Sequence, residues 1–93
     1  MIRSFKDERT KDIIEGRRVK GIGAEVQKKA RRKLNMLDAA VERRDVLVPS
    51  GNRLEKLVGD REGQWSVRVN DKWRICFVWR EHDAYEVELD DYH

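Results

Sequence analysis

The chain has 93 residues, 42% of them charged and 39% hydrophobic, with mean hydropathy −0.87. That length leaves room for one domain, residues 1–93, which is expected to bury only about 60–65% of its unfolded surface around a thin core. Three Trp, two Phe and two Tyr against a single Pro argue for a folded chain despite the charge. No apolar run approaches the roughly 18 residues of a membrane helix, and the opening MIRSFKDERT lacks the apolar core of a signal peptide. A cytoplasmic chain with no membrane partner is therefore expected. One cysteine, Cys76, excludes an internal disulfide and a cysteine-based zinc site.

The charge is uneven. Residues 1–45 hold 14 Lys/Arg against 8 Asp/Glu, residues 46–93 hold 7 against 10, and the last 13 residues carry six acids and no Lys or Arg. A basic half points to a polyanionic partner, most simply nucleic acid. A solvated helix face accounts for the same charge.

In chain order, Ile2 to Phe5 alternates as a short strand does, and Lys6 to Glu15 reads as a short helix stopped by Gly16. A basic, glycine-punctuated connection follows to Gly23. Ala24 to Glu42 carries Val26, Ala30, Leu34, Leu37 and Val41 on one helical face, with Lys28, Lys29, Arg31, Arg32 and Lys33 elsewhere. Its end is expected near Arg43 and Arg44, where the macrodipole favours cations. Asp45 to Asn52 is a loop around Pro49.

The period then changes. Arg53 to Leu57 is a short strand, and Gly59 to Gly63 a turn. Trp65, Val67 and Val69 alternate with Ser66, Arg68 and Asn70, and a tight turn at Asn70-Asp71 leads into a central strand, Trp73 to Trp79. Glu81 to Asp83 is a hairpin loop. In the last strand Tyr85, Val87 and Leu89 alternate with Glu86, Glu88 and Asp90. Helices first and a strand meander second predict an α+β fold, a small antiparallel sheet with the N-terminal helices packed on one face.

No phosphate loop, dinucleotide fingerprint, HExxH or CxxC is present, and neither His82 nor His93 has metal-ligand spacing. No metal or small-molecule cofactor is implied. An acid–base set remains. On the strand reading, Arg68 and Arg74 face each other across the Asn70-Asp71 turn and share with Ser66 the face away from the tryptophans. With Arg61 they form a set that can hold a phosphate through forked hydrogen bonds. Cross-strand pairing with Glu86 and Glu88 is the structural alternative. At the C-terminus, His93 follows Asp91 and Tyr92, and neighbouring anions favour an imidazolium able to act as a general acid.

The run from Gly51 through the "GDREG" turn at 59–63 to Val67 carries a resemblance. So do Trp73-Arg74-Ile75-Cys76-Phe77, the terminal Asp91-Tyr92-His93 and the opening Met1-Ile2-Arg3-Ser4-Phe5. Together they resemble the HigB-like toxins of the RelE/ParE superfamily, over nearly the whole chain. The resemblance implies a RelE-like fold and a ribosome-dependent endoribonuclease that cuts mRNA in the A site. Its implied partners are the ribosome, mRNA and a HigA-type helix-turn-helix antitoxin. It places catalytic positions on Asp91, Tyr92 and His93, with Arg74 stabilising charge and Arg61, Arg68 and Lys56 as phosphate ligands of the sheet region. Lys28, Arg31 and Arg32 would grip RNA. Where some members carry a histidine two residues after the position of Arg53, this chain has Glu55, which either substitutes as general base or leaves that duty to Asp91. A ParE-like non-enzymatic inhibitor and a plain basic RNA-binding module are the competing readings.

Overall fold

The computed structural model describes residues 1–47 and 53–91. Pro49, the loop to Asn52, Tyr92 and His93 lie outside the described residues. The first helix, α1 (Glu8–Ile14), begins where Asp7 accepts the Thr10 N–H at 3.0 Å. It closes on Gly16, at φ +84°, with Gly16 N–H bonded to the Ile13 carbonyl and Arg17 N–H to that of Asp12. Those are the two bonds of a Schellman end, which needs the left-handed conformation that glycine adopts without strain. Thr10 is fully buried, and its hydroxyl oxygen accepts the Leu89 N–H at 2.9 Å, tying the helix to the last strand.

The second helix, α2 (Ala24–Ala39), buries Ala30, Leu34 and Leu37. It stops short of the expected end. Ala40 is extended, and Val41, expected on the apolar face, is 60% exposed. The physical reason is a competing cap. The Asp45 carboxylate takes the N–H groups of both Val41 and Glu42 and starts a separate turn, α3 (Arg44–Leu47), which delivers Val46 into the core. Arg43 is thereby released from a helix end and lies over the Trp65 ring at 4.5 Å.

Four strands follow: β1 (Glu55–Lys56), β2 (Gln64–Arg68), β3 (Trp73–Arg80) and β4 (Asp83–Asp91). They pair antiparallel in sequence order. The first is shorter than expected. A 3-10 turn over Gly59–Arg61 occupies part of the loop between β1 and β2. The opening residues do not form a regular strand. They run parallel to β4 through two isolated bridges, Ile2 to Ala84 and Phe5 to Val87. In β3 the expected alternation holds: Ile75 and Phe77 enter the core with Val67, Val87 and Leu89, against α1 and α2. The fold is α+β, with the helices on one face of the sheet.

In β4 the simple alternation fails. Cys76 pairs with Glu88 but Val78 with Tyr85, so Phe77 is opposed by two residues. Glu86 sits in this bulge at φ +52°. Ala84 and Val87 both enter the core, while Tyr85 turns to the other face, where Arg80 lies over its ring at 4.3 Å. No helix among the described residues is long and apolar enough to cross a membrane.

Candidate active site

The sheet face turned away from the helices carries the chemistry. Register places Glu55, Ser66, Cys76 and Glu88 in one row across the four strands. Arg68, Arg74 and Asp90 form the next row. Arg68 and Arg74 are direct Cα partners, as the hairpin spacing requires. The turn between them is closed by Asn70, whose side-chain oxygen accepts the N–H groups of Lys72 and Trp73.

All three arginines are paired with carboxylates, two of them with carboxylates of β4. Arg74 donates from Nε and Nη2 to Asp90 Oδ2, both at 3.2 Å. Arg61 reaches across from the 3-10 turn, with Nη2 donating to Glu88 Oε1 at 2.9 Å and Nη1 3.3 Å from Asp90 Oδ2. Lys6 stands 3.6 Å from the same Glu88 oxygen. The structural alternative of cross-strand pairing therefore holds for Glu88, whereas Glu86 is exposed on the bulge. Asp90, which the sequence reading left out of the site, is the other partner. Strand alternation from Glu88 was the signal that could have placed it there. Arg68 pairs with Asp71, a residue whose side chain is 98% exposed. Such a pair contributes little to stability and opens readily to a ligand.

Beneath this network Cys76 is fully buried, and burial pushes its thiol up to about 11. It stays protonated at neutral pH and adds no negative charge. Beside the network is an open cleft of about 280 Å³ lined by Arg53, Glu55, Arg68 and Asp71. Two carboxylates and two guanidiniums face one open space there, an arrangement that can accept a proton and hold a phosphate.

The other expected residues fall elsewhere. Asp91 pairs with Trp73, so its register puts it on the opposite face from Glu55 and Arg74, with Lys72 Nζ 4.0 Å away. Lys56 pairs with Trp65 and also alternates away from the cleft. Lys28 and Arg32, with Lys29, line a groove of about 360 Å³ between α2 and Asn70 of the β2–β3 turn. The basic face of α2 thus borders the same turn that carries Arg68. Burial, and then the charges of Lys29, Arg32 and Arg68, hold the Lys33 ammonium below its ordinary range. Arg31 turns away from that groove. Its Nε donates to the Ile14 carbonyl at 3.3 Å, and its guanidinium lies over Gly16.

The comparisons with known proteins agree with this fold. Residues 3–93 match the family model described as RelE-like toxin of type II toxin–antitoxin system HigB. The chain is similar to Endoribonuclease HigB of Proteus vulgaris, 37% identical over 93 residues and covering all of both chains. It is also similar to Toxin HigB-1 of Vibrio cholerae serotype O1, 36% identical over 91 residues that span 97% of this chain and 96% of the relative. With a family match over nearly its whole length and relatives aligned end to end, the chain belongs to the HigB-like family of RelE-like toxins of type II toxin–antitoxin systems.

Proposed function

We propose that this type II toxin is an endoribonuclease that cleaves mRNA held in the ribosomal A site, in the cytoplasm, and is silenced by a HigA-type helix-turn-helix antitoxin. The Proteus vulgaris relative is named an endoribonuclease, which supports the activity. The observation that carries the reading is the register: Glu55, Arg68 and Arg74 share one sheet face, with Glu55 and Arg68 in the same open cleft.

RNA can supply its own nucleophile. Glu55 takes the proton of the 2′-OH, O2′ bonds to the adjacent phosphorus, and the P–O5′ bond breaks. His93 gives its proton to the departing O5′, and Tyr92 orients His93 or stacks on an unpaired base. Arg68 and Arg74 meet the extra charge that gathers on the phosphorane oxygens. The products are a 2′,3′-cyclic phosphate and a 5′-hydroxyl. Lys28 and Arg32 hold RNA phosphates outside the cleft.

The test is cleavage of a defined mRNA on programmed ribosomes, with chemical identification of both new ends. His93→Gln and Glu55→Gln each lower the rate about 10²- to 10⁴-fold, and Arg74→Ala about 10²- to 10³-fold. If Glu55→Gln has little effect, Asp91 is the base. If the double change His93→Gln, Arg74→Ala leaves cleavage intact, this reading is wrong. Growth arrest with uncut mRNA would instead favour an inhibitor that acts by binding.

A further inference from the structure

One carboxylate oxygen, Asp90 Oδ2, is shared by two arginines from distant parts of the chain. It accepts Nε and Nη2 of Arg74 on the neighbouring strand, and it lies 3.3 Å from Nη1 of Arg61 on the 3-10 turn. The Nη2 end of Arg61 is held by Glu88, while its buried Nη1, without a hydrogen bond among the described residues, meets Asp90 by charge alone, so Asp90 contacts both guanidiniums. Arg74 has a further reason to need an anion. Its cross-strand Cα partner is Arg68, and like charges directly opposite each other in a sheet repel. With Asp90 half-buried beside it, the two cations can share one face without splaying apart.

We propose that Asp90 is a positioning residue, which fixes the Arg74 guanidinium beside Arg61 in the orientation from which it meets the scissile phosphate. The proposal rests on the assignment of Arg74 to phosphate charge made above. The geometry favours orientation over proton transfer for Asp90, because its Oδ2 is already occupied by guanidinium N–H groups. The third neighbour within reach, Cys76 Sγ at 3.9 Å, carries a protonated thiol at neutral pH and does not compete as an anion. The 3-10 turn gains a role from the same contact: it delivers the second arginine that holds Asp90 in place.

The experiment measures kcat and KM for cleavage of ribosome-bound mRNA with Asp90→Asn and Asp90→Glu, each in the native and the Arg74→Ala backgrounds. Asp90→Asn lowers kcat about 10- to 100-fold, the size expected of a misplaced catalytic group, with KM little changed. Asp90→Glu retains the charge and falls between the two. In the Arg74→Ala background neither change has a further effect on kcat, because Asp90 acts through Arg74. Equal losses in both backgrounds, or a change confined to KM, would overturn the proposal. If Asp90→Asn does not fold, the Asp90→Glu pair carries the same comparison. Full activity of Arg74→Ala alone would instead sink the parent reading of the arginine face, and the role of Asp90 with it.

Discussion

The Arg31 guanidinium of α2 lies against Gly16 at the end of α1, with its carbon and one nitrogen each 3.2 Å from where a Gly16 Cβ would stand. The same side chain donates Nε to the Ile14 carbonyl, one of the last carbonyls of α1, so one helix supplies the C-terminal partner of another. An arginine that composition alone counts with the RNA-gripping set thus joins the two helices.

Gly16→Ala is therefore expected to destabilise the protein by about 1–2 kcal/mol, through the left-handed backbone and the displaced guanidinium. Denaturant unfolding of Gly16→Ala, Arg31→Ala and the double variant separates the two causes. The loss from Gly16→Ala should be smaller in the Arg31→Ala background. Equal losses in both backgrounds would mean the contact carries no energy.

Thr10→Val removes the hydroxyl that accepts the Leu89 N–H in the core while keeping the shape. The stranded N–H should cost about 1–3 kcal/mol. Thr10→Ser, which restores the acceptor, should recover part of it. Hydrogen exchange at Leu89 gives a direct readout: the amide should exchange faster in the Val variant than in the Ser variant.

Asp45 should shape the acid limb of stability. The N–H groups of Glu42 and then Val41 hold its carboxyl below the ordinary value of 3.8. A carboxylate with a depressed folded-state pKa stabilises the fold above its unfolded pKa, and the gain is lost as pH falls through the folded value. Asp45→Asn should therefore lower the melting temperature at pH 6 to 7, and the gap to the native chain should close towards pH 3. A gap of the same size at all pH values would show that the side chain acts by shape alone.

The groove on α2 predicts a salt dependence. Lys28→Ala with Arg32→Ala removes two cations of the groove beside the Asn70 turn. The slope of log K against log salt for single-stranded RNA should become shallower by about 1.5 units. Arg31→Ala should change that slope far less, since Arg31 is turned to Ile14 and Gly16. Equal effects from the two sets would return Arg31 to the RNA-facing surface.

Where a feature rests on local chemistry, the sequence was readable. Gly16 after α1, the 3-4 spacing of Ala30, Leu34 and Leu37, and the hairpin around Asn70-Asp71 all stand where their residues ask them to, whereas α1 starts after Asp7 and not at Lys6. The end of α2 was not readable, because Val41 continues the helical spacing while Asp45, further along, competes for its N–H. The candidate site divides the same way. Alternation alone brings Arg68 and Arg74 to one face and opposite each other. The union of Arg61 with Glu88 and Asp90 joins the 3-10 turn to β4, a contact no short-range pattern encodes. Asp91, placed in the site by resemblance, lies one residue past Asp90, and the register sends the two to opposite faces.

The bulge at Glu86 acts as a phase marker. Upstream of it the core takes Ala84, and downstream it takes Val87 and Leu89, an interval that unbroken alternation would not permit. The side on which Glu88 and Asp90 emerge is thus counted from this one inserted residue. Pairing Glu86 into regular alternation, with no bulge, would bring the two carboxylates under the helices and turn Val87 and Leu89 outward, dismantling core and site together. A one-residue deletion elsewhere in β4 should therefore shift the phase and damage core and site together, whereas deleting Glu86 itself leaves Ala84, Val87 and Leu89 on the core side.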